Sequence, residues 1–375
     1  MKILIVGAGP AGLYLAYLLK RHDARHDVRI VEQNDADSTF GFGVVFSDRA
    51  LDFLRDDDEP THALITPAMQ QWTDLALNHR GERIVIDGVG FAAIGRLALL
   101  KLLQQRLQTV GVAPAYSQAV SEPSDLDGHD LVVAADGANS FVRRQTQAAF
   151  GTSIELLNNR FVWYGTTRPF ERLSQTFVDT PFGPMNAHHY RYAPAMSTFI
   201  AECDAQTWAR AGFEQMDEAT TRTTIERCFA DTLQGHPLVA NKSVWRRFPK
   251  IRNEHWSAGR RVLVGDALRT AHFSIGSGTR LAFEDVIALA RALREHPADV
   301  PSALQAYEAA RRPIVDKLVD AANRSADWYE HFAEHMRLDP WRLAWSYIQR
   351  SGRVDRDRLK QVSPRFVAGY EANAA

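Results

Sequence analysis

Apolar and polar positions alternate along this chain in two different periods, and the change of period divides it. Residues 2–6 (KILIV) form a short apolar run suited to a strand buried on both faces, and 13–20 carry apolar residues at helical spacing. A second strand is predicted at 27–31, and further buried strands at 130–135 (DLVVAA) and 261–264 (RVLV). Helices are predicted at 97–107, from about Thr279 through 285–293, and at 304–322. Between them, 160–166, 187–192 and 198–203 alternate apolar with polar residues, the mark of an antiparallel sheet covered on one face. Residues 206–233 show helical periodicity, and 328–350 form an aromatic-rich helical stretch. The expected fold is therefore α/β. A Rossmann-type domain would be assembled from 1–70, 90–150 and 255–330, with an inserted antiparallel-sheet domain from 71–89 and 151–254. A helical tail at 331–375 would cap the core.

Composition changes this picture little. With 375 residues, 45% of them hydrophobic, the chain can bury a large core. Its 44 Lys and Arg against 45 Asp and Glu give a net charge of −1, which argues against nucleic acid as a partner. The two cysteines, Cys203 and Cys228, sit in no CxxC or His/Cys cluster, so reduced core thiols are expected and no metal site. Glycines interrupt the N-terminal apolar run, and no stretch reaches the roughly 18 apolar residues of a membrane span. A cytoplasmic protein, monomer or homodimer, is the expectation.

The chemistry begins at Gly7-Ala8-Gly9-Pro10-Ala11-Gly12, a GxGxxG between the first strand and the first helix. Gly7 permits the tight turn, Gly9 lets the backbone approach a pyrophosphate, and Gly12 lets helix and strand pack closely. The helix N-terminus then faces the phosphate charge. Glu32, 20 residues after Gly12 at the end of the second strand, is placed to accept hydrogen bonds from a ribose hydroxyl. This spacing indicates a dinucleotide without choosing between FAD and NAD.

Two further segments choose. After the 130–135 strand comes Asp136-Gly137-Ala138-Asn139-Ser140, and after the 261–264 strand comes Gly265-Asp266-Ala267 with a loop to Gly278. An N-terminal GxGxxG, a central DG and a C-terminal GD in this order resemble the group A flavoprotein aromatic hydroxylases, the single-component FAD monooxygenases, over nearly the whole chain. The resemblance implies FAD bound by Gly7, Gly9, Ala11, Gly12, Glu32, Asp136 and Gly137. It also implies Asp266 on the ribityl chain and Arg96 near the pyrophosphate or ribityl chain. Gly276, Gly278 and Thr279 would present a helix N-terminus to the charge that reduced flavin carries. No second GxGxxG and no CxxxxC pair occurs, which fits a branch in which NADH or NADPH visits transiently.

Further stretches narrow the resemblance: 40–48 (FGFGVVFSD), 161–167 (FVWYGTT), 187–192 (AHHYRY), 197–203 (STFIAEC) and 271–279 (AHFSIGSGT). Together they are similar to the branch with salicylyl-CoA 5-hydroxylase and the monooxygenase half of 2-aminobenzoyl-CoA monooxygenase/reductase. The tryptophan-derivative hydroxylase of violacein biosynthesis is a near cousin. The GD loop departs from the wider family's Gly-Asp-Ala-Ala-His and Pro-rich turn, reading Gly265-Asp266-Ala267-Leu268-Arg269-Thr270-Ala271-His272 instead.

The resemblance implies oxygen insertion from O₂ into an aromatic ring through a flavin C4a-hydroperoxide, with salicylyl-CoA or a related aryl-CoA as substrate. His272 and His188 are the candidate catalytic residues, since a base near the ring hydroxyl would raise the ring's nucleophilicity. Phe42, Trp163 and Phe273 are candidate walls of the aromatic pocket. Arg49, Arg191, Arg246, Arg247 and Arg353 are candidate contacts for CoA phosphates. A hydroxylase of a free indole or phenol, and a flavin carrier or sensor without turnover, remain as alternatives.

Overall fold

The computed structural model describes residues 1–47 and 51–374. Four strands, Asp27–Val31, Lys2–Val6, Leu131–Ala134 and Arg261–Leu263, lie side by side in parallel, and the short strand Ser257–Ala258 closes one edge. Residues 3–6 and 131–134 are buried throughout, as strands covered by helices on both faces must be. The helix Pro10–His22 runs back over this sheet and packs against Arg96–Gln108 and Gly278–Glu295. It is wrapped so completely that every residue from Ala11 to Leu19 is buried.

A seven-stranded sheet forms the second layer, ordered Leu238–Val239, Arg160–Thr166, Met196–Cys203, Gly183–Ala193, Leu173–Thr180, Leu75–His79, Glu82–Ile86. Its register sets Trp163 and His188 on either side of Ile200, Asn186 opposite Glu202, and Gln175 opposite His188. Residues directly opposite each other share a face, so these side chains project together. The sheet Gly43–Ser47, Phe91–Gly95, Gln70–Trp72 lies beside the two layers, with Tyr190 Oη donating to Gly43 O at 2.9 Å.

The helical regions differ in detail from the periodicity. Residues 206–233 make three helices, Ala205–Ala211, Glu218–Cys228 and Ala230–Leu233. Gly212 stops the first at φ +70°, and the Asp217 side chain caps the second. The 304–322 helix extends to Val300–Glu330, through Pro313. The aromatic stretch 328–350 is not one helix: it breaks after Glu330, and Pro340–Gln349 starts afresh where Asp339 accepts from Arg342 N at 3.0 Å. Trp328, Phe332, Tyr347 and Phe366 pack with Leu77, Ile84 and Ile86 in one apolar cluster, so this tail covers part of the large sheet.

The tail docks through one tight turn. Asp87 accepts from Phe366 N at 2.8 Å, and its backbone carbonyl accepts from Ser363 Oγ at 2.6 Å. Beside it Gly88 has φ +69°, and a Cβ there would sit 1.8 Å from the carbonyl oxygen of Val362. Gly88→Ala is therefore expected to cost at least about 1–3 kcal/mol and to loosen the helices Arg356–Val362 and Pro364–Asn373. Thermal melts combined with limited proteolysis check this. Unchanged melting with no new cleavage beyond residue 355 refutes it.

Candidate active site

The GxGxxG turn is built by mutual exclusion. Gly7 sits at φ +103°, and a Cβ there would lie 2.4 Å from the Ala135 carbonyl oxygen. A Cβ on Gly12 would lie 2.0 Å from the Gly7 carbonyl oxygen, so Gly12 serves helix–strand contact. A Cβ on Gly9 meets nothing within 4 Å, because Gly9 borders open space. Glu32 accepts from Ala8 N and Asn34 N, both at 2.9 Å, which ties the second strand to the turn.

The DG and GD segments are held to this turn and to each other. Asp136 accepts from Phe141 N at 2.7 Å and Val142 N at 3.3 Å. Its other oxygen is buried and unpartnered, and burial raises its pKa. Arg143 donates to the Ala267 carbonyl at 2.8 Å, joining the two motifs directly. Under the GD turn, buried Asp285 accepts from Gly265 N at 3.2 Å and pairs with Arg269 at 2.7 Å and Arg311 at 3.4 Å. Arg269 stands where the sequence leaves the wider family's pattern, and the structure makes it the loop's internal counter-charge.

Two cavities run end to end along these motifs. The first, about 560 Å³, is lined by Gly7, Gly9, Glu32, Arg96, Asp136, Gly137 and Arg144 among others. The second, about 350 Å³, is lined by Ala11, Arg96, Asp266, Gly276, Gly278 and Thr279, and by an aromatic wall of Phe161, Trp163, Tyr190, Phe248 and Phe273. Gly9, Arg96 and Gly137 border both. Arg96 donates to Thr39 Oγ1 at 3.5 Å, and its guanidinium lies 5.7 Å from the Trp163 ring centroid. Burial lowers the Arg96 pKa against the pull of Asp266, and raises that of Asp266 against the pull of Arg269 and Arg96. Asp266 itself opens onto the cavity. The N-terminus of the helix Gly278–Glu295 faces the same space.

The structure separates the two histidines. His188 lines the second cavity, is 4% exposed, and has both ring nitrogens unpartnered. His272 is off that lining, which its neighbours Ala271 and Phe273 supply. Its Nδ1 lies 2.8 Å from Ser274 Oγ, which in turn lies 2.7 Å from Ser325 Oγ. Arg350 clasps this loop through the Ser274 carbonyl at 2.8 Å. Burial, aided by Arg350, brings both imidazoles down to about 3, so both are neutral at ordinary pH.

Phe42 is also off this wall. It lines a separate groove of about 330 Å³ with Tyr192 and Pro194, and its ring fills the space where Gly165 lacks a Cβ. Among the candidate phosphate contacts, Arg49 lies outside the described residues, and Arg191, Arg246, Arg247 and Arg353 line neither cavity. Arg247 donates to the carbonyls of Leu157 and Leu156 at 2.6 and 2.7 Å. The pattern of the sequence did not point to Phe161, Phe248 or Ile200 as wall residues; for Phe161 and Ile200 the alternation of their strands was the one hint.

An extended dinucleotide fits this arrangement. Cβ atoms on Gly9, Gly137 and Gly278 would meet no protein atom within 4 Å, so all three backbones lie open along the paired cavities. The first chamber, bordered by the glycine turn, Glu32, Asp136 and Arg144, suits the adenosine diphosphate half, and the aromatic second chamber suits an isoalloxazine with a ring beside it.

Comparison with known proteins agrees. Residues 103–322 match the family described as FAD binding domain, and 5–41 match NAD(P)-binding Rossmann-like domain. The chain is 42% identical to salicyloyl-CoA 5-hydroxylase of Streptomyces sp over 94% of its length and 70% of that protein. It is 38% identical to 3-hydroxy-4-methyl-anthranilyl-[aryl-carrier protein] 5-monooxygenase of Streptosporangium sibiricum, covering 88% of this chain and 89% of that one. Against protodeoxyviolaceinate monooxygenase of Chromobacterium violaceum the identity is 33%, covering 93% and 94%. The fold matches tetrameric 2-methyl-3-hydroxypyridine-5-carboxylic acid oxygenase with a TM-score of 0.72 at 17% identity, covering 96% of this chain and 95% of that one. With three ordered motifs gathered on one cleft and relatives of this kind, the chain belongs to the FAD-dependent aromatic monooxygenases.

Proposed function

We propose that this enzyme hydroxylates the ring of an aryl-CoA thioester, with conversion of salicyloyl-CoA to its 5-hydroxy product as the leading reaction. The observation that carries this reading is the second cavity, an aromatic chamber in which His188 is a buried polar side chain with no protein partner. The relative of highest identity quoted above acts on a salicyloyl thioester by its name, and the next on an aryl group attached to a carrier protein.

FAD, reduced by NADH or NADPH, supplies the activated oxygen when bound. On this reading the Gly7–Gly12 turn holds the pyrophosphate, Glu32 the ribose, and Asp266 and Arg96 the ribityl region. The backbone at Gly276, Gly278 and Thr279, which lines this chamber, stabilises negative charge on the ring system. Trp163, Phe273, Phe161 and Phe248 pack the substrate ring and exclude water. His188, neutral by burial, takes a hydrogen bond from the ring hydroxyl, which pushes electron density toward the carbon to be oxidised. His272 shapes the loop beside the chamber through Ser274. Reading 1–70, 90–150 and 255–330 as the cofactor lobe, with 71–89 and 151–254 as the substrate lobe, accords with this division of labour.

The test is NADH or NADPH oxidation by the FAD-loaded protein with salicyloyl-CoA, followed by ¹⁸O₂ incorporation into the ring. Stimulation coupled to one labelled oxygen is expected. If no aryl-CoA stimulates oxidation but a free phenol or indole does, the alternative gains the field: a hydroxylase of free substrates, favoured by the likeness to protodeoxyviolaceinate monooxygenase. Among the described residues no helix is long and apolar enough to cross a membrane. We place the enzyme in the cytoplasm, as monomer or homodimer, with Cys203 and Cys228 as reduced thiols.

A further inference from the structure

Behind His188 the large sheet holds a polar residue that no feature of the fold explains. Gln175 is 0% exposed, and neither atom of its side-chain amide has a hydrogen-bond partner. Buried amides are nearly always satisfied, so an orphaned one calls for a partner within its reach. Its surroundings are apolar on three sides. Leu77 lies across the parallel pairing, and Leu173 and Phe177 share its face along the strand. On the fourth side, directly opposite in the antiparallel register, stands His188, whose two ring nitrogens are also unpartnered. Of the diagonal neighbours, Tyr190 gives its hydroxyl to Gly43 O, while Asn186, opposite Glu202, also has an unpartnered Nδ2; His188 is the residue that faces Gln175 directly.

Directly opposed residues have Cβ atoms about 4.5–5.5 Å apart, which a glutamine side chain spans easily. A neutral imidazole offers one donor and one acceptor, and whichever nitrogen is engaged from behind decides what the other presents in front. Gln175 can accept from a ring N–H or donate to a bare ring nitrogen. His188 also lines the cavity. We propose that Gln175 is a positioning residue of this site: its amide holds His188 in one tautomer and orientation, directly or through a buried water, so that the other ring nitrogen bonds a hydroxyl on the substrate ring. Preference for a ring bearing a free hydroxyl then arises from a pair of residues, only one of which touches substrate. This inference rests on the reading of the second cavity as the ring site.

The test compares binding of salicyloyl-CoA and 2-methoxybenzoyl-CoA to FAD-loaded protein by calorimetric titration. The panel is the wild type, Gln175→Met, Gln175→Asn, His188→Leu and the Gln175→Met/His188→Leu double variant. FAD absorbance and Tm serve as folding controls. Methionine keeps the volume without the amide, and asparagine keeps the amide but is too short to reach. The wild type is expected to prefer the hydroxyl ester about tenfold, the worth of roughly one well-made hydrogen bond. Each single variant should bring that ratio close to one, with no further loss in the double variant. If Gln175→Met weakens both esters equally, or keeps the wild-type ratio while His188→Leu loses it, Gln175 is packing only and the proposal fails alone. If the wild type shows no preference, the placement of the ring hydroxyl at His188 fails, and the proposal with it. Should Gln175→Met not load FAD, Gln175→Asn decides by the same ratio.

Discussion

Gly9→Ala is expected to leave the apoprotein's melting temperature nearly unchanged and to weaken FAD binding roughly ten- to hundredfold, while Gly12→Ala is expected to lose the fold. The contrast follows from what each missing Cβ would meet. At Gly9 no protein atom lies within 4 Å, so an added methyl projects into the cleft and disturbs only what binds there. A steric penalty of about 1.4–2.8 kcal/mol, within the usual cost of an added methyl group, corresponds to that range of affinity. At Gly12 the methyl would lie 2.0 Å from the Gly7 carbonyl oxygen and 3.3 Å from Ile5 Cγ2, so the helix must move off its strand. That helix is buried from Ala11 to Leu19, and its displacement disrupts the core on all sides. Melting of apo and FAD-loaded samples, with FAD titrated by its absorbance, distinguishes the two. Equal behaviour of the two variants contradicts the geometry.

Glu202 should give the protein a stability that declines with rising pH, and Glu202→Gln should remove the decline. The carboxyl is buried at 3% exposure, with Oε1 accepting from Asn159 Nδ2 at 2.8 Å. Burial, reinforced by Glu330, pushes its pKa from 4.5 up to about 8. Between those values the unfolded chain has released a proton that the folded chain keeps. Stability from this group is therefore fully present below about pH 4.5 and falls as pH rises, until the folded pKa near 8 is passed. The slope is at most about 1.4 kcal/mol per pH unit. Glutamine reproduces the shape of the protonated acid and keeps the bond from Asn159. The variant should therefore match the wild type near pH 5 and exceed it near pH 8. Calorimetric Tm across that range checks this, and parallel curves for the two proteins would refute it.

Gly9, Gly12 and Glu202 also mark how far the sequence could be read. Gly9 and Gly12 were legible because their constraint is local: within a dozen residues of strand, turn and helix, Gly12 must pack on the turn and Gly9 must leave the cleft clear. The DG and GD segments were legible for the same reason, each being a strand end followed by a short turn. Glu202 was one polar position in an alternating strand. Its burial depends on Asn159 and on the helix ending at Glu330, far away along the chain. Arg269 was visible as a departure from the family pattern, but its partner Asp285 was not, since the pairing is made by the return of a later helix. Phe42 and His272 looked like site residues because they adjoin site motifs. The structure turns Phe42 under Gly165 and ties His272 to Ser274, and brings Phe161 and Phe248 to the wall instead.

The dinucleotide turn, the order of the three cofactor motifs, the α/β class and the membership of an aromatic hydroxylase family can all be read from the residues alone. Each rests on short contiguous segments whose backbone demands show in their residue types. Which side chains share the aromatic chamber, that His188 rather than His272 lines it, and that Gln175 stands opposite His188 emerge from the folded chain. Those relations depend on the register of strands distant in the chain. A shift of one residue in that register would turn every one of these side chains to the other face of the sheet.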